Sequence, residues 1–148
     1  MRVEFSFGAI NRFRSACQIL QKHYLQNIQF LVYTKNQRAL AHFNRLLWGF
    51  KPTAFIPHAL YDDPLVQHAP IILCQNESQL TQAQQWLGQP WLLNLDDRIP
   101  PITFSIEQIL EVVSTQESCR QNARLRWRNY QAKGFSIQAR ELEQPSPI

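Results

Sequence analysis

Apolar and polar positions alternate with period two over Val3–Phe7 (VEFSF), which predicts a strand with one buried face. Ile10, Phe13, Cys17, Leu20 and Tyr24 then recur at helical spacing and predict a helix running to about Gln26. Ile28–Tyr33 (IQFLVY) is a short run of β-branched and aromatic residues, the mark of a strand covered on both faces. Thr34 followed by Gln37 reads as a capping box opening a second helix, with Leu40, Phe43 and Leu47 on its core face and Gly49 at its end. A strand–helix–strand–helix opening predicts a parallel sheet with helices packed on its faces.

The middle is less regular. Pro52, Pro57, Pro64 and Pro70 exclude a long helix between Phe50 and Pro70. Ala54–Ile56 is a candidate short strand there. Trp48, Phe50, Phe55 and Ile56 crowd around the bend, either as a small core cluster beneath a loop or as an exposed docking patch. Pro70–Gln75 and Pro90–Leu95 read as strands on either side of a helix over Glu77–Leu87, and Asp96–Pro101 as a loop. Periodicity leaves Thr103–Val113 open between helix and strand; its Val and Ile content favours a strand from Glu107. Together these elements predict an α/β fold, one three-layer domain over residues 1–137 around a mostly parallel central sheet. Residues 138–148, ending in Pro-Ser-Pro-Ile, are expected to form a loose tail.

The last long helix, over Ser114–Phe135, carries the most pointed pattern. Ser114 and Glu117 read as a capping box that starts it near Thr115. Gly134 suits a left-handed stop, with Phe135 folding back on Tyr130. Cys119, Ala123, Trp127 and Tyr130 share one arc; Arg120, Arg124 and Arg128 lie on the arc beside it, with Trp127 at the seam. A solvated basic face is the plain reading. Against it, Arg120 sits in the first turns, where the macrodipole disfavours a cation, and no acid lies between Glu117 and Glu141 to pair these arginines. An aromatic beside a row of unpaired guanidiniums suits a ligand with an apolar part next to a carboxylate or phosphate.

Composition narrows the classes. The chain has 148 residues, 45% of them hydrophobic and 18% charged, as in an ordinary globular protein able to bury a core. A net charge of +4 favours anionic partners modestly. No secretory n-region and h-region opens the chain and no apolar run reaches membrane-spanning length, so a cytoplasmic protein without a membrane span is expected. Cys17, Cys74 and Cys119 are odd in number and widely spaced, as expected of packed reduced thiols. Catalytic chemistry is not evident. The first strand leads into Gly8-Ala9-Ile10-Asn11, whose single glycine is too few for a dinucleotide turn. His23, His42, His58 and His68 have no metal-ligand spacing, and the pairs Asp62-Asp63 and Asp96-Asp97 read as turn residues. No cofactor, metal site or catalytic residue is expected.

Several of these pieces, in this order, carry a resemblance. They are the opening Val-Glu-Phe-Ser-Phe, Trp48 before the bend, Phe55-Ile56-Pro57-His58, and Arg-x-x-x-Arg-x-x-Trp-x-x-Tyr-x-x-x-Gly-Phe from Arg120 to Phe135. In these the chain resembles the chi subunit of the bacterial DNA polymerase III holoenzyme, over most of its length. The resemblance implies a nucleotide-binding-like fold without the phosphate-binding loop, and a non-catalytic accessory protein of the clamp-loader complex. It implies two partners: the acidic C-terminal tail of single-stranded DNA-binding protein (SSB), which ends in a phenylalanine carboxylate, and the psi subunit, which ties the protein to the clamp loader. Contact with nucleic acid would then be indirect. Carried over by position, the tail site comprises Val113, Arg120, Arg124 and Trp127, with Arg128 adding a positive rim; the psi surface comprises Trp48, Phe55 and Pro57. The family often has tyrosine where this chain has Trp127, a change that keeps the aromatic wall and removes a hydroxyl. A module binding single-stranded nucleic acid directly through the basic helix is the alternative. It would want more aromatics interleaved with the arginines than one tryptophan.

Overall fold

The computed structural model describes residues 1–50 and 56–142. Seven strands form one sheet: β1 (Arg2–Ala9), β2 (Phe30–Tyr33), β3 (Ala59–Leu60), β4 (Ile71–Cys74), β5 (Trp91–Asn94), β6 (Gln108–Ser114) and β7 (Ser136–Glu141). Their order is β3-β4-β2-β5-β6-β1-β7, and every pairing is parallel. The helices are α1 (Arg12–Tyr24), α2 (Gln37–Gly49), α3 (Glu77–Trp86) and α4 (Glu117–Ala132), with a 3₁₀ turn at Val66–His68. This is the expected three-layer α/β architecture.

Strand pleating sorts the core into two halves. Phe30, Val32, Ile71, Leu73, Leu110 and Val112 face α1 and α2, whose Leu20, Phe43 and Leu47 meet them. Leu31, Tyr33, Ile72, Leu92, Ile109 and Val113 point to the other face, where Leu80 of α3 and Ala123 and Tyr130 of α4 cover them. Burial on both faces is why β2 and β4 read as unbroken apolar runs.

Four sequence expectations are corrected. Ile10 lies outside α1 and is 73% exposed, since β1 runs on through Ala9 and turns before the helix begins. The capping boxes at Thr34 and Ser114 do not form. Thr34 Oγ1 donates to Asp96 Oδ1 at 2.9 Å and accepts from Asn36 N–H at 3.2 Å, and Asn36 Oδ1 is the cap of α2. Ser114 is the last residue of β6, and no side chain caps α4, which starts at Glu117. Residues 136–141, largely assigned to the tail, form β7 instead, pairing with β1 from Arg2↔Ser136 to Phe7↔Glu141. Their exposed polar side chains suit an edge strand, which hides the strand in the sequence. The candidate strand at Ala54–Ile56 lies largely outside the described residues; Ile56 is described and is in no strand.

The stop of α4 is as expected. Gly134 has φ +80°, its N–H donates to the Gln131 carbonyl at 3.0 Å, and the Phe135 N–H donates to the Tyr130 carbonyl at 3.1 Å. This is the Schellman pattern, and the rings of Tyr130 and Phe135 lie 5.7 Å apart.

Candidate functional site

Val3, Phe5 and Phe7 stand on the α4 side of β1. Val3 and Phe5 are buried there, with the Phe5 ring 5.0 Å from Trp127 and 5.9 Å from Tyr130. Phe7 is 40% exposed and faces the groove beside α4. Gly8, at φ +86°, accompanies a register shift between Phe7 and Ala9. The result is a groove of about 550 Å³ with Phe5, Phe7, Val113, Trp127 and Ala139 as apolar walls. Arg120, Arg124 and Arg128 line the same groove. All five residues of the expected tail site are therefore brought together. Phe5, Phe7 and Ala139 were missed; the alternation of VEFSF carried the first two, and β7 supplies the third.

The row of arginines is not unpaired, as the sequence suggested. Glu117 stands at the first position of α4, 3.7 Å from Arg120 Nη1 and 3.5 Å from Arg124 Nη1. All three side chains are more than half exposed, so these contacts hold each guanidinium by at most about 1 kcal/mol. A ligand carboxylate can exchange for Glu117. Arg128 has no ion pair among the described residues.

The surface expected for psi is split. Trp48, in the last turn of α2, is 51% exposed and its ring lies 4.2 Å from that of His58. Pro57 is half-buried, and Phe55 lies outside the described residues. Phe50 and Ile56, from the same crowded bend, belong to the core. His58 is buried, with Nδ1 2.6 Å from the Ile56 carbonyl, and burial holds its pKa below the ordinary histidine value.

A second polar cluster lies under α4. Glu111, at 0% exposure in the middle of β6, accepts from Arg126 Nε at 3.0 Å, Tyr130 Oη at 2.6 Å and Asn94 Nδ2 at 2.8 Å. Burial, then Glu111, pushes the Tyr130 phenol far up. Arg126 falls on the arc of Cys119, Ala123 and Tyr130, so the helical period already placed an arginine on the core side. Burial pushes the Cys17 and Cys74 thiols up to about 12, which makes them packing groups rather than nucleophiles. Among the described residues no group of three or more His, Cys, Asp or Glu is placed to hold a metal ion, and no helix is long and apolar enough to cross a membrane.

Comparison with known proteins converges on one family. The model of the family described as DNA polymerase III chi subunit, HolC, matches residues 1–138. DNA polymerase III subunit chi of Pseudomonas aeruginosa is 26% identical over 137 residues, covering 88% of this chain and 87% of that protein. DNA polymerase III subunit chi of Haemophilus influenzae is 22% identical over 128 residues, covering 82% and 81%.

Proposed function

This chain belongs to the DNA polymerase III chi subunit family, and from that membership we propose that its α4 groove binds the acidic C-terminal tail of SSB. The protein then acts without catalysis, as a cytoplasmic accessory subunit that links SSB to the clamp loader through psi. One observation carries the reading: an apolar slot between Phe5, Phe7 and Trp127 shares its walls with three arginines. A tail ending in Phe needs a slot for its ring, a guanidinium for its terminal carboxylate and a diffuse positive rim for its acidic residues. A groove with one tryptophan is short of the stacking platforms a single-stranded nucleic-acid binder needs, so direct binding is the weaker reading.

The test is a titration against the free tail peptide and against an oligonucleotide, side by side. Arg124→Ala is expected to weaken peptide binding by about 1.5–3 kcal/mol, the range for a lost charge-assisted bond, with little change in folding. Amidating the peptide's C-terminus weakens binding to the intact protein, yet adds little once Arg124 is gone. Simple additivity of the two changes would move the carboxylate to Arg120. Trp127→Ala also weakens binding, but it uncovers buried Phe5 and so lowers stability as well. Stronger, salt-dependent binding of the oligonucleotide would favour the nucleic-acid reading.

For psi, the proposed surface comprises Trp48, Phe55 and Pro57. Trp48→Ala is expected to weaken psi binding by about 2 kcal/mol, as loss of an aromatic anchor does, while thermal stability falls little. A large stability loss with psi affinity unchanged would assign Trp48 to packing.

A further inference from the structure

We infer that the crevice between the N-termini of α1 and α4 is a second ligand site, separate from the groove, that takes a phosphate group. The topology opens it. β1 and β6 are neighbours, but the chain leaves β1 into α1 on one face of the sheet and leaves β6 into α4 on the other. Parallel α/β sheets hold ligands at such switch points, outside the carboxyl ends of the strands. The crevice encloses about 470 Å³, and Asn11, Arg12, Ser118, Asn122 and Arg126 are among its lining residues.

Two independent observations point to an anion. The first turn of α4, at its positive dipole end, has no side-chain cap, whereas α1, α2 and α3 are each capped by an asparagine. The second is Arg126. It is 1% exposed and uses Nε on Glu111 and Nη1 on the Asp97 carbonyl at 3.3 Å, but its Nη2 is buried with no hydrogen-bond partner. A buried charged donor left unsatisfied is costly enough to require an explanation.

The local charge has the same sign. Arg12 donates only to neutral carbonyls, those of Val112, Leu95 and Asp96. Its pKa is lowered, first by burial and then by Arg126 beside it. Both guanidiniums share one buried carboxylate, Glu111, at 3.0 Å from Arg126 and 3.9 Å from Arg12. Asp97, the acid among the lining residues of the crevice, is 4.0 Å from Arg12 and 78% exposed, so water screens it. A phosphate brings oxygens for the α4 amides and for the Ser118 and Asn122 side chains together, and its charge offsets that of the Arg126 guanidinium in the crevice wall. The missing glycine-rich loop is thus no bar, because the charge here comes from an arginine and the donors from a helix end.

The test uses the full chain, labelled for NMR, titrated at constant ionic strength with inorganic phosphate, with adenosine monophosphate and with chloride. Saturable shifts are expected at the amides of Ser118, Cys119 and Asn122 and at Arg126 Nε–H, with both phosphates and not with chloride. Asn122→Asp places a negative charge in the crevice without changing side-chain shape and should weaken binding at least tenfold. Ser118→Asp repeats the test at an exposed position whose new acid suits a first turn. Arg124→Ala, in the groove, should leave phosphate binding unchanged even if it abolishes peptide binding, so the two sites are told apart. Tighter binding of the nucleotide by tenfold or more assigns a phosphate monoester; equal affinity assigns free phosphate. Shifts that do not saturate, that chloride reproduces, or that both acidic variants leave intact would overturn the site.

Discussion

The most consequential single residue is Glu111. An acid among Ile109, Leu110, Val112 and Val113 and an arginine on the core arc of α4 are both visible in the sequence. Their partnership is not, because it depends on how α4 is rotated on β6. Glu111→Gln removes the counter-charge of Arg126, which is 1% exposed, and is expected to cost about 3–5 kcal/mol of stability by denaturant unfolding. A loss under about 1 kcal/mol would mean that water reaches Arg126. The arginines of the groove behave differently. Arg120 and Arg124 are exposed, so their contacts with Glu117 lower their availability only slightly.

At the scale of elements, α4 shows what local rules capture. Its C-terminal stop was legible to the residue, since Gly134 and Phe135 make the bonds and ring contact that such a stop requires. A Cβ at Gly134 would meet nothing within 4 Å, so Gly134→Val tests backbone conformation alone. It should lower the unfolding free energy by about 1 kcal/mol or more, and an unchanged midpoint would remove the left-handed cap from the account. The N-terminal boundaries of α2 and α4 were misread for a shared reason. Thr34 and Ser114 stand in the strand-to-helix turns, where their hydroxyls accept backbone N–H groups two residues on. A hydroxyl residue three before Glu or Gln therefore marks the approach to a helix as well as its cap.

Across the whole molecule, β7 is an element that only the folded chain reveals, as is the two-residue β3. Truncation after Ile137 should be silent if 138–148 were a loose tail. Instead it is expected to lower the unfolding midpoint and promote self-association, because it uncovers most of the outer edge of β1 and deletes Arg140, which lies 3.3 Å from Glu4. It also removes Ala139 and so weakens peptide binding; an unchanged midpoint with intact binding would show that β7 is dispensable. By itself the sequence determined the four helices, the strands β1, β2, β4, β5 and β6, the parallel α/β class and the basic aromatic face of α4. Each of these depends on neighbours two to four positions apart, whose burial sets a period that can be read directly. The tertiary structure decided the strand order, the pairing of Glu111 with Arg126, and the groove and crevice. These join positions such as Val3 and Ile109, or Arg12 and Arg126, which are distant along the chain and meet only when the two faces of the sheet are covered.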